Sequence, residues 1–147
     1  MYTRRTIFAI LAATMATPVF AASPPVFVNS NDIAINGYDA VAYFTVSEPV
    51  SGIPQLAYKW NGATWLFATS KTLNMFKENP EAYAPQFGGY CALAASKGAI
   101  APSVPDAWTI YEGKLYLNFN LHAREIWRQD IPGNIAKAEA NWPAILN

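Results

Sequence analysis

The chain has 147 residues, 52% hydrophobic and 14% charged, with 10 Lys and Arg against 10 Asp and Glu. This composition builds the core of a single domain and excludes a disordered chain, while zero net charge without a basic block excludes an electrostatic nucleic-acid binder. One Cys and one His exclude both a disulfide-stapled scaffold and a Cys/His zinc finger.

Residues 1–21 are predicted to be a signal peptide. Arg4 and Arg5 precede an apolar run at 7–16, and Val19-Phe20-Ala21 supplies the small residues of a cleavage site after Ala21. The run is short for a hydrocarbon layer of roughly 30 Å, so a cleaved, periplasmic or secreted protein with no stable membrane span is expected. Thr3-Arg4-Arg5-Thr6 partly matches a twin-arginine signal, but the ordinary secretory route is preferred. Without Arg4 and Arg5, 8 basic residues face 10 acidic ones, a net charge of −2.

Residues 22–30 form a Pro-led, extended lead-in, and a single domain fills 31–147. Asn36-Gly37 signals a turn, and the apolar residues after it suit a buried strand or a short helix equally. Residues 46–56 carry Ser, Pro and Gly and are expected to be a loop. Ala57–Trp60 and Ala63–Phe67 then flank Asn61-Gly62, the strongest short-range signal of a β-hairpin. Ser70 is the expected N-cap of a helix ending at Glu78, with Leu73 and Phe76 inward and Asn79-Pro80 as its stop. Residues 84–90 form a glycine-containing turn that delivers Cys91 to the head of a short helix stopped by Gly98. A second hairpin, Trp108–Tyr111 and Lys114–Phe119, turns at Glu112-Gly113. Asn120 can cap a helix that sets Ala123, Ile126 and Trp127 on one face. Ile131-Pro132-Gly133-Asn134 is expected to break it before a last helix carrying Ile135, Ala138 and Trp142 inward. Hairpins separated by short helices, with a helical C-terminal segment, predict an α+β fold.

Several strings recur in order: Asn36-Gly37-Tyr38-Asp39 with Val41-Ala42-Tyr43-Phe44, Gly62-Ala63-Thr64-Trp65-Leu66-Phe67, Asn79-Pro80 with Tyr83-Ala84-Pro85, Gly88-Gly89-Tyr90-Cys91, and Leu115-Tyr116-Leu117-Asn118. Together they resemble the exported YHS-domain proteins of bacteria, over about residues 31–146. The resemblance implies a YHS-like α+β domain. The wider group includes modules of heavy-metal transport and sensing, whose two ligand cysteines fall here on Ala68 and Thr72. Neither residue can bind a soft metal, so the resemblance carries the frame without its thiolates.

Four features can carry chemistry. Cys91, after a Gly-Gly turn, is a reactive thiolate, one half of an intermolecular disulfide or, as favoured, a buried small hydrophobe. His122 can join Cys91 in a copper or zinc site, with Asp39, a Tyr or a Met as a further ligand, or serve as base to a Cys91 nucleophile; a surface or capping role for His122 is the simpler alternative. Asp39 is either an Asx-turn residue, as favoured, or a pocket carboxylate, and Asp106 has the same choice. Most of the 5 Trp, 8 Tyr and 8 Phe are expected in the core, and exposed Trp and Tyr could line an apolar or sugar-binding cleft. No phosphate loop, Gly-x-Ser-x-Gly elbow or His-Glu-x-x-His run is found, and no catalytic or cofactor-binding residue is assigned. The expectation is an accessory or binding module for a metal ion or small ligand. The alternatives are a Cys91-dependent redox protein or enzyme, and an interaction module with exposed aromatics.

Overall fold

Among the described residues two antiparallel hairpins, with six α-helices placed before, between and after them, make an α+β fold. The computed structural model describes residues 12–16 and 22–147; the former are irregular and exposed. The predicted cleavage site at Ala21 and the Arg4-Arg5 pair lie outside the described residues. Among the described residues no helix is long and apolar enough to cross a membrane.

In the first hairpin, β1 (Ile53–Trp60) pairs with β2 (Ala63–Phe67). Asn61 and Gly62 both have positive φ, 51° and 77°, as a type I′ turn demands. The register sets Tyr58 opposite Trp65 and Trp60 opposite Ala63. β1 begins earlier than expected, at Ile53, so the loop over 46–56 is shorter than the sequence suggested. The register slips between Ile53 and Ala57, and Pro54 falls within that irregularity, where no ladder N–H is required of it.

The apolar face of this hairpin closes on α2 (Ser70–Glu78). Phe76 of α2 is fully buried and meets Trp65 and Phe67 at ring-centroid distances of 5.0 and 5.1 Å. The cap is Thr69, not Ser70: its extended backbone lets its hydroxyl accept from Thr72 N at 3.1 Å. Pro80 opens α3 (Pro80–Tyr83) at a position where no helical N–H is needed. Between the chain start and β1, the open alternative resolves as a 3-10 turn at Ile35–Gly37 followed by α1 (Ala42–Thr45).

The second hairpin, β3 (Trp108–Tyr111) and β4 (Lys114–Leu117), separates two cores. Strand alternation does this. Leu115 and Leu117 face the core of Trp65, Phe67 and Phe76, while Tyr116 faces the other way, against Trp127 at 5.0 Å. The second core is completed by α4 (Ala92–Ser96), α5 (Leu121–Arg128) and α6 (Ile131–Asn141). Asn120 caps α5 as expected, accepting from Ala123 N at 2.7 Å. The expected break at 131–134 is instead the first turn of α6. Asp130 accepts from Gly133 N at 3.0 Å, and Pro132 falls in that first turn, where its missing N–H leaves no helical bond unmade.

The lead-in is bound into the domain rather than standing off it. Val26 is buried, Phe27 N donates to Gly88 O at 2.8 Å, and the Tyr90 hydroxyl donates to Pro24 O at 2.8 Å. The chain bends at 25–26 and is not extended throughout.

Buried phenols tie stability to alkaline pH. Burial, reinforced by Tyr38 and Asp106, holds the Tyr43 phenol well above its ordinary 10.0. Burial also raises Tyr90 and Tyr116. The folded chain keeps these protons to higher pH than the unfolded chain, so their contribution is complete below about pH 10 and is lost above it. Tyr43→Phe should move the alkaline unfolding limb to higher pH. At neutral pH it should cost about 1 kcal/mol for the 3.2 Å bond from the Tyr43 hydroxyl to Pro105 O. Denaturant unfolding at a series of pH values checks this; an unmoved alkaline limb would contradict it.

Candidate functional site

Asp39 is fully buried and acts as a structural pin. Its Oδ1 accepts from Val41 N at 2.9 Å and Ala42 N at 3.2 Å, closing the Asx turn that starts α1. Its Oδ2 accepts from Ala68 N at 2.9 Å and from the Thr72 hydroxyl at 2.6 Å. Ala68 and Thr72 are the two positions where the resemblance implies ligand cysteines, and here both donate to this carboxylate. Four donors fill the roughly four acceptor sites of a carboxylate.

Cys91, His122 and Asp39 are not assembled into the expected metal set. Cys91 is buried at the head of α4, with its thiol 3.5 Å from Asn118 Oδ1. His122 is exposed, because Ala123 and Trp127 take the inward face of α5. Among the described residues no group of three or more His, Cys, Asp or Glu could hold a metal ion. Asp106 is exposed and contributes its backbone carbonyl, which accepts from Arg124 at 3.2 Å. Since only 2% of Cys91 is exposed, a thiol reagent should label it in denaturant and leave the native protein almost untouched. Rapid labelling of the folded protein would restore the thiol-enzyme alternative.

A concavity of about 520 Å³ lies elsewhere. Trp60 and Asn61 reach it from the tip of the first hairpin and Lys114 from the second. Glu81, Gln86 and Phe87 come from α3 and the turn after it, and Trp142 from the end of α6. Trp60 and Trp142 are half-buried, each packed against other rings. Trp60 packs on Trp65 and Phe76, at 5.8 and 5.7 Å, and Trp142 meets Phe87 edge-on at 6.0 Å. Each indole thus presents partly desolvated apolar surface.

The turn under the cleft is strained. Phe87 has φ 55°, a conformation that bulky residues rarely adopt, and Gly88 follows with φ 63°. A Cβ on Gly88 would collide with the Pro25 carbonyl, so glycine permits the close approach that brings the lead-in to the cleft. Such strain concentrates where function constrains the backbone. A second hollow of about 450 Å³, lined by Asn31, Asp32, Lys59 and Thr64, shares Trp60 and Asn61 with the first.

The main cleft offers one carboxylate, one ammonium, two amides and aromatic surface. Among the described residues that line it, Glu81 and Lys114 carry the ionisable side chains. The aromatic load pointed toward such a cleft, but no local motif identifies Trp60, Glu81, Lys114 or Trp142, which come from four separate segments. Compared with family models, with curated proteins and with solved structures, the chain matches none.

Proposed function

We propose that this chain is an exported, non-enzymatic binding module of the YHS type that takes a small organic ligand in the aromatic cleft. The carrying observation is the cleft itself: two half-buried tryptophans lining a hollow of about 520 Å³, within the range of small-molecule sites. Polar groups of both signs in its lining, Glu81 and Lys114 among them, can orient a ligand. The ordered strings from Asn36 to Asn118 support the family part of the reading, and the N-terminal Arg pair and apolar run support export. A metal role has less support, since Asp39 already accepts four hydrogen bonds and His122 faces outward.

Ligand-observed NMR against a mixed library of sugars, aromatic acids and amino acids tests the reading, with Trp142→Ala as control. Compounds that contact the wild-type chain and are lost in the variant are expected. An empty screen, or hits indifferent to Trp142→Ala, would overturn it. Stoichiometric copper or zinc in protein purified from its own periplasm, lost in Cys91→Ala, would favour the metal alternative.

A further inference from the structure

We infer that the ligand is an extended, uncharged oligosaccharide that lies across both hollows, over the tip of the first hairpin. This rests on the binding-module reading above and names the class of ligand. The first observation is adjacency. Trp60 and Asn61 line both hollows, so the two lie side by side at that turn. A ligand confined to the main cleft would leave the second hollow unused. A chain that follows the surface would fill both, with Trp60 under its middle.

The second observation is charge balance. The main cleft carries Glu81 and Lys114, and the second hollow carries Asp32 and Lys59. Each holds one acid and one base, so neither selects an anion or a cation. Among the described residues none of these four makes an ion pair, which leaves their hydrogen-bonding capacity free. Asn61, Gln86 and Asn31 add amides, each both donor and acceptor. Mixed donors and acceptors around an aromatic surface match a sugar. Its hydroxyls both donate and accept, and its C–H faces pack on indole. An aromatic acid or a metal ion uses only part of this set.

The test is isothermal titration of the mature chain with cello-, malto- and chito-oligosaccharides, from monosaccharide to hexasaccharide, beside free tryptophan and benzoate. In one series, affinity should rise with length by roughly tenfold or more and then level off. Trp142→Ala should weaken every length. Asn31→Ala with Lys59→Ala, both exposed positions, should remove only the gain seen with long chains. Sugar binding indifferent to length would overturn the extended placement. Silent sugars beside Trp142-dependent binding of tryptophan or benzoate would overturn the carbohydrate class and leave the binding module standing. Silence of every probe would remove both.

Discussion

Asp39→Asn should lower stability by about 2–4 kcal/mol, a fall in Tm of about 10 °C for a domain of this size. Asparagine has nearly the shape of aspartate, so packing is not the cause. The carboxylate accepts four hydrogen bonds, three from backbone N–H groups and one from the Thr72 hydroxyl. An amide keeps one oxygen and turns an NH2 toward at least one backbone N–H that cannot turn away. At least one buried N–H then loses its partner, and that desolvation cost is paid in full. The pin also ties three pieces together: the start of α1, the end of β2 and the first turn of α2. Thr72→Val should cost about 1.5–3 kcal/mol, the range for a hydrogen bond to a charged group. The double variant should lose less than the two single losses added, because both remove the same bond. Chemical denaturation of the four proteins measures this. An Asp39→Asn variant within about 0.5 kcal/mol of wild type would show that the carboxylate does not hold these elements together.

Asp39 is only half legible in the sequence. Its local half was legible: an acidic residue after Gly-Tyr, closing a turn two and three residues on. Its distant half was not. Ala68 lies 29 residues away and Thr72 lies 33 away, and no spacing rule links them. The same division holds across the fold. Asn61-Gly62 and Glu112-Gly113 announce their hairpins because positive φ is rare and few residues tolerate it. Thr69 and Ser70 are equally good caps by chemistry, and only the extended backbone of Thr69 decides between them. Pro132 signals a helix break and a helix first turn alike; the Asp130 side chain on Gly133 N settles it. The role of β4 as a wall between two cores was hidden, because the run Leu115-Tyr116-Leu117 does not say that its two faces meet different partners. The cleft was hidden for the same reason as the distant half of Asp39: its tryptophans, Trp60 and Trp142, meet only after both hairpins and α6 are placed.

Phe76→Ala should be the most damaging core substitution, at about 3–5 kcal/mol. The side chain is fully buried and meets four other rings: Trp65 at 5.0 Å, Phe67 at 5.1 Å, Trp60 at 5.7 Å and Tyr58 at 6.2 Å. Each aromatic pair adds about 0.5–1.5 kcal/mol beyond area burial, and alanine forfeits all four while leaving a cavity. Those rings sit on a strand pair whose register would resist collapse around the void, which places the loss in the upper part of the range. Trp60 is also the ring shared by both hollows, so Phe76 sets the rigidity of the surface on which a ligand would rest. Phe76→Leu separates the two effects. It should keep the fold with a smaller loss of stability, yet weaken the near-UV dichroism of the tryptophans and reduce ligand affinity. Trp142→Ala should reduce affinity while leaving the first core intact, because its ring neighbours are Phe87 and Tyr90. If Phe76→Leu instead binds as tightly as wild type, Trp60 does not need its backing. The binding energy would then lie on the Trp142 side of the cleft.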